Sequence, residues 1–179
     1  MTFPNGDKYQ GFTENLKFEG KGRMTYENGD MYQGNWKDGQ YHGVGAFVND
    51  AQGTLYDGDW VQDVKHGKGK LQWERGNQEY DGDYEEGERT GEGVYTNNLG
   101  TRYQGHFLKG DYHGHGKLFM HENGRLFEGK FNHNNLSKGK IVLPDGSVYE
   151  GDIKDWKMHG QGNLKFTNGN VYVGTWDKD

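Results

Sequence analysis

One short pattern, aromatic-x-Gly, returns eight times along the chain, at Tyr9, Tyr32, Tyr56, Tyr80, Tyr103, Phe127, Tyr149 and Tyr172, in steps of 22 to 24 residues. A period of that length running through the whole sequence restricts the fold more than any other feature. Each copy is one supersecondary unit that cannot bury its apolar face alone, so copies must stack on their neighbours. The third copy reads YDGDWVQDVKHGKGKLQWERGNQE. Its skeleton is Tyr56-x-Gly58-x-Trp60, a polar turn, His66-Gly67-x-Gly69, then Leu71-x-Trp73 and a further turn at Gly76. This skeleton covers the chain and leaves no room for a second domain.

Within each copy the alternation has the strand period of two. Tyr56, Gly58 and Trp60 share one face of a first strand, and Asp57 and Asp59 share the other. Gly67, Gly69, Leu71 and Trp73 share one face of a second strand, with Lys68, Lys70 and Gln72 opposite. Each copy is therefore a hairpin with an aromatic-and-glycine face and a polar face. Glycine beside a ring lets another ring lie flat on bare backbone, which offsets its entropic cost inside a strand. The links between copies carry Asn5-Gly6, Asn28-Gly29, Asn123-Gly124, Asp145-Gly146 and Asn168-Gly169. These dipeptides suit two-residue hairpin turns with positive φ at both positions. The expected fold is all-β: an elongated single-layer antiparallel meander of stacked hairpins with no helix. Some 15 strands at about 4.8 Å make a ribbon roughly 70 Å long.

Composition supports a folded chain only through its rings. Leu, Ile, Val and Phe together are 30 of the 179 residues, below the roughly one-fifth under which chains tend to disorder. Aromatics make up 15%, and each ring buries about 150–250 Å². The absence of cysteine excludes disulfide scaffolds, thiolate metal sites and thiol nucleophiles. No apolar run approaches the ~20 residues that span a bilayer. Met1-Thr2-Phe3-Pro4 reads as neither signal nor transit peptide. The net charge of −6 argues against nucleic acid and disfavours an anionic lipid surface. A cytoplasmic protein is the expectation.

Chemical motifs do not emerge from the repeat. His42, His66, His113 and His159 occupy one repeat position, so repetition accounts for them. His113 and His115 stand at i, i+2, a usable zinc pair that lacks a third ligand. Asp57/Asp59, Asp81/Asp83 and Glu150/Asp152 flank the strand glycines and read as a solvated face rather than an acid–base pair, which would need one desolvated member. Gly67-Lys68-Gly69-Lys70 lacks the Ser or Thr and the helix of a phosphate loop. No cofactor, metal or catalytic residue is implied, and the chain reads as a non-enzyme.

Several features exceed what stacking requires. Phe18, Tyr41, Lys65, Arg89, Tyr112, Leu136 and Met158 precede the His-Gly step and by parity extend the aromatic face. They either cover the strand-one rings as core or form with them an exposed stripe: Tyr32, Trp36, Tyr41, Trp60, Tyr84, Phe107 and Tyr112. Such a stripe suits an extended helix of a protein partner. Trp156, in a turn, is a further candidate anchor. Seven carboxylates lie between Glu79 and Glu92 (Glu79, Asp81, Asp83, Glu85, Glu86, Glu88, Glu92) against one base, Arg89. They make either a solvated face or a dock for a basic partner. The sequence opens on a second strand (Thr2, Phe3, Pro4) and closes on a first strand (Val173, Thr175, Trp176). This reads either as a segment of a longer array or as an edge that pairs with a partner or a second copy.

The motif Tyr-x-Gly-x-Trp-x-x-Gly-x-x-His-Gly-x-Gly resembles the MORN repeat (membrane occupation and recognition nexus). Tyr32, Gly34, Trp36, Gly39, His42, Gly43 and Gly45 fall on its positions. The resemblance covers residues 1–179 as a single array of about seven full repeats with partial strands at both ends. It implies a twisted single-layer sheet and a scaffold or protein-interaction role in a cytoskeletal, ciliary or axonemal assembly, with edge-to-edge homodimers. Alternatives it implies are a membrane-associated lipid-binding array and an accessory region of a larger enzyme such as a lipid kinase. Departures are Thr13 and Glu19 in the first repeat, Tyr84 and Thr90 in the fourth, and Ile153 and Trp156 in the seventh. The sixth is a residue short, with Ser137-Lys138 for His-Gly, and is where the regular twist or face should break.

Overall fold

The computed structural model describes residues 1–73 and 76–177. Among those residues there are fifteen strands and no α-helix. The strands neighbour one another in strict chain order, the meander expected of hairpins joined by short links. Contacts divide the chain into two units, Met1–Thr90 and Gly91–Asp179. The first holds β1 (Lys8–Glu14), β2 (Lys17–Thr25), β3 (Met31–Lys37), β4 (Gln40–Asn49), β5 (Thr54–Val61), β6 (Val64–Trp73) and β7 (Gln78–Glu85). The division falls within β8 (Glu88–Thr96). The second unit continues with β9 (Arg102–Leu108), β10 (Asp111–Met120), β11 (Arg125–Phe131), β12 (Lys138–Val142), β13 (Val148–Lys154), β14 (Lys157–Lys165) and β15 (Val171–Trp176).

The repeat glycines line up. In the first unit Gly11, Gly22, Gly34, Gly45, Gly58, Gly69 and Gly82 pair each with the next across adjacent strands. In the second, Gly93, Gly105, Gly116, Gly129, Gly139, Gly151, Gly162 and Gly174 do the same. In the first, second, third, fifth and seventh repeats the tyrosine lies across its glycine pair, whereas in the sixth, which begins on Phe127, Leu136 Cδ1 stands there instead. A Cβ on Gly45 would stand 2.6 Å from Tyr32 Cζ, and one on Gly116 would stand 2.6 Å from Tyr103 Cζ. The ring ends where backbone carbonyls are free. Tyr32 Oη donates to Asn35 O at 2.7 Å, and Tyr149 Oη donates to Asp152 O at 2.7 Å and His159 O at 2.9 Å. These glycines are thus required by space rather than by φ.

Two kinds of ring contact build the core of each unit. In the second, third and fourth repeats the second aromatic of the first strand stands edge-on to two tyrosines, its own and that of the preceding repeat. Trp36 lies 5.0 Å from Tyr32 and 5.6 Å from Tyr9. Trp60 lies 4.9 Å from Tyr56 and 5.8 Å from Tyr32. The residue before His-Gly then stacks flat on the tyrosine of its own repeat: Phe18 on Tyr9 at 4.0 Å, Tyr41 on Tyr32 at 3.7 Å and Tyr112 on Tyr103 at 3.9 Å. In the third and fourth repeats a cation takes that place, Lys65 over Tyr56 and Arg89 over Tyr80. Edge-to-face pairs and cations over rings each add about 1 kcal/mol beyond burial.

The turns are assigned the other way round from the sequence expectation. Four of the five links, at Gly6, Gly29, Gly146 and Gly169, are three-residue loops rather than two-residue turns, and Asn123-Gly124 closes a four-residue loop in which Gly124 N–H donates to Met120 O. At the first complete link Gly29 N–H donates to Tyr26 O and Tyr26 N–H to Asp30 O. Only the glycine has positive φ, 91° at Gly29, which is a type I turn closed by a glycine bulge. Asn28 contributes its Oδ1, which accepts from Asp30 N–H at 3.0 Å. Two-residue turns with both φ positive lie instead inside the repeats, at Asn15-Leu16, Gln62-Asp63, His133-Asn134 and Asp155-Trp156 among others. The residues that hold this strain clasp the preceding repeat. Asp63 N–H donates to Tyr41 O at 3.1 Å while Asp63 Oδ1 accepts from Tyr41 N–H at 2.7 Å. Asn134 does the same to Tyr112.

The His-Gly step is a bulge. Register slips there in the β3–β4 and β5–β6 pairs, with φ of 60° at Gly43 and 55° at Gly67. The bulge corrects the expected face of Gly67, whose Cβ would meet the Asp59 side chain rather than the rings. It also falls between His113 and His115. In the sixth repeat the missing residue removes the slip, and β11 pairs β12 in unbroken register. The face does not change there, because Phe127, Phe131, Leu136 and Ile141 are all buried. The expected strand at Thr2–Pro4 is reduced to one bridge, Thr2 to Lys8.

Candidate protein-binding surfaces

The aromatic stripe divides on inspection of its burial. Tyr32, Trp36, Trp60, Tyr84 and Phe107 are buried at 0 to 5% exposure. They form the core of the ring ladder and offer a partner no surface. Tyr41 and Tyr112 are half-exposed lids over Tyr32 and Tyr103. Tyr41 Oη shares a hydrogen bond with Tyr26 Oη, and burial with that bond pushes its ionisation well above the usual range for a phenol. Burial holds the Lys65 ammonium below the usual lysine range. Trp156, half-buried with φ of 62°, stands 5.3 Å from the Phe127 ring of the preceding repeat.

The acidic stretch does not act as one cluster. Lys68 Nζ reaches Asp83 Oδ1 at 2.6 Å, and Lys70 Nζ reaches Glu79 Oε2 at 3.0 Å. The hydrogen bond from Lys70 holds Glu79 below the usual carboxylate range. These lysines pair with β7, although Asp57 faces Lys70 in register from β5. Asp81, Glu85, Glu86 and Glu88 are exposed. Among the described residues no three His, Asp or Glu side chains converge as metal ligands.

At the β15 edge the three sequence candidates separate by face. Thr175 Oγ1 accepts from Gln161 Nε2 at 2.8 Å on the polar side. Trp176 packs 5.4 Å from Tyr149 on the aromatic side and donates its Nε1–H to Gly162 O at 3.2 Å. Val173 and the neighbouring Tyr172 are exposed, and the 48% of Tyr172 contrasts with the buried tyrosines of earlier repeats. Among the described residues Tyr172 has one row glycine beneath it, Gly174.

A surface that sequence reasoning missed lies on the other face. In the first unit a groove of about 990 Å³ follows Gly22, Gly34 and Gly45 from Gln10 on β1 to Asp57 on β5. Two ranks of side chains flank that glycine row. They are charged or amide-bearing on β2, β3, β5, β6 and β7: Lys21 and Arg23, Gln33 and Asn35, Asp57 and Asp59, Lys68 and Lys70, Asp81 and Asp83. On β4 both are apolar, Val44 and Ala46, and Met31, Val48 and Leu55 continue the apolar floor. The signal was available in parity, since Val44 and Ala46 occupy outward positions. The corresponding groove in the second unit is lined by Glu128, Lys138, Lys140 and Glu150 instead. There Lys117 and Lys140 both reach Glu128 and hold it below the usual carboxylate range.

Comparison with known proteins gives the fold a family. A search of curated proteins finds no match. Among solved structures, the TCP domain of Drosophila melanogaster SAS-4 (dCPAP), in complex with a proline-rich motif of Ana2 (dSTIL), is similar over 94% of this chain and 90% of that one, at 12% identity and a TM-score of 0.57. The wild-type TCP10 domain of Danio rerio CPAP aligns over 98% of this chain and 92% of that one, at 16% identity and a TM-score of 0.34. The MORN repeat model matches at residues 17–31, 32–49, 56–78, 80–98, 103–119 and 149–171, passing over the repeat that lost its bulge. With six such matches covering most of its length, the chain belongs to the MORN-repeat family.

Proposed function

We propose that the chain is a non-catalytic protein-interaction module that holds a segment of a partner protein on the glycine-row face of its first unit, within a cytoskeletal, ciliary or centriolar assembly of the cytoplasm. The observation that carries this reading is the open groove at Met31, Val44, Ala46, Val48 and Leu55, an apolar surface bordered by the charged and amide side chains of Lys21, Arg23, Gln33 and Asp57. The similar Drosophila domain is described in complex with a proline-rich motif of another protein, which supports peptide binding on a sheet of this kind. Proximity labelling from the tagged chain in ciliated cells tests the reading. Enrichment of centriolar or axonemal proteins is the expected result, and a profile equal to that of a freely diffusing cytosolic control overturns it. Flotation with anionic vesicles at low salt tests the lipid alternative, and the chain is expected to stay at the bottom of the gradient.

The exposed Tyr172 and Val173 support a second reading, self-association through β15. Light scattering after size exclusion should then show a dimer that Trp176→Lys converts to a monomer. A monomer for both proteins removes this reading.

A further inference from the structure

The groove in the first unit has a polarity that specifies its ligand, an inference that rests on the interaction-module reading above. Lys21 and Arg23 stand on β2 towards one end, beside Gln10 of β1, and among the described residues neither has an ion pair. Asp57 stands on β5 at the other end, also without an ion pair among the described residues, because the lysine opposite it bonds Glu79. Between them β4 offers only Val44, 59% exposed, and Ala46. On β3 the Gln33 and Asn35 side-chain amides make no hydrogen bond within the described chain and rim the middle of the groove. The two ranks beside the glycine row are two residues apart along each strand, about 7 Å, narrower than the roughly 10–12 Å of a helix with its side chains.

We propose that this groove binds an extended, proline-containing peptide of a partner protein that runs across the strands, with a carboxylate residue over Lys21 and Arg23, a basic residue over Asp57 and short apolar side chains between. The spacing follows from geometry. Three strand intervals of about 4.8 Å separate β2 from β5, and a polyproline-type chain rises about 3.1 Å per residue. The acidic and basic residues therefore stand four to five positions apart. Such a chain has few N–H groups and leaves its carbonyls free, which suits the donor groups of Gln33 and Asn35. It also enters the groove already extended, so little conformational entropy is lost on binding. The extended-helix partner expected from the aromatic stripe does not fit this trough.

Three fluorescein-labelled peptides test the inference by anisotropy: EPVPVK, KPVPVK and QPVPVQ. EPVPVK should bind tightest, about fivefold over KPVPVK, from charge contacts at exposed side chains. Val44→Lys, at an exposed position, should weaken it at least as much without changing the thermal melt. Lys21→Glu with Arg23→Glu should reverse the preference toward KPVPVK. Equal binding of all three peptides overturns the inference. Panning a random dodecapeptide library on the folded protein separates the two levels. Ligands that lack the acidic-to-basic spacing, or that bind Val44→Lys equally well, overturn the groove assignment and leave the module reading standing. A library that yields no ligand overturns both.

Discussion

Gly45 and Tyr32 express one constraint from two sides: the ring can lie flat only where the strand has no Cβ, and the glycine is tolerated only because the ring covers it. Gly45→Ala should therefore destabilise the protein by about 3 kcal/mol, the upper range for overpacking. Gly39→Ala, at φ of 87° with open space around it, should cost only the ~1 kcal/mol of a left-handed conformation. Parallel thermal melts by circular dichroism check the ratio, and equal losses would mean that the ring moves aside freely. Lys65 offers the opposite case. It fills the position where Phe18, Tyr41 and Tyr112 stack on a tyrosine, and burial disfavours its charge. Lys65→Tyr should replace a desolvated cation with a stacked ring and stabilise by about 1 kcal/mol, read as a higher denaturation midpoint in urea.

At the scale of the element, the hairpin inside each repeat holds backbone strain that the sequence conceals. Leu16 has φ of 63° and is 99% exposed, so its side chain contributes no burial to offset that conformation. Leu16→Gly should stabilise by about 1 kcal/mol, seen as a melting temperature raised by roughly 2–4 °C for a chain of this size. A lower melting temperature would show that the loss of Leu16 costs more than the strain it relieves. Gln62 and Trp156 share the conformation and look no more like turn residues than Leu16 does. That is why the turn types were inverted in the sequence reading: Asn-Gly signals both a two-residue turn and a type I turn with a glycine bulge. The hydrogen bonds that choose between them, such as Tyr26 N–H to Asp30 O, depend on register that no local pair of residues encodes. The groove escaped for a related reason. Parity gives the face of Val44 and Ala46, but the charges at the two ends of the trough, Arg23 two strands away and Asp57 on the next strand, are placed beside them by register. Parity gives face and not exposure, so it left the core and stripe readings both open: Trp36 and Trp60 lie on the expected face and are buried under other rings.

Across the whole molecule the period was legible because the same steric rule is written at every repeat, and repetition multiplies its physical consequences. Burial pushes the phenols of Tyr32, Tyr56 and Tyr80 well above the ordinary tyrosine range and that of Tyr103 up to about 12, from a model-peptide value of 10.0. The unfolded chain loses these protons near pH 10, whereas the folded chain keeps them. The stability they confer is therefore complete below pH 10 and is lost as pH rises toward the folded values. Each such tyrosine removes about 1.4 kcal/mol per pH unit in that window. Four of them together remove roughly 5 kcal/mol by pH 11, comparable to the whole stability of many domains. The protein should therefore unfold cooperatively near pH 11. Tyrosinate absorbance at 295 nm for the core residues should rise in step with the loss of strand circular dichroism. A rise that precedes unfolding would mean that solvent reaches the hydroxyls in the folded sheet. In that case the carbonyls at Asn35, Asp59, Asp83 and His106, which accept those hydrogen bonds, would not be holding the rings on the glycine row.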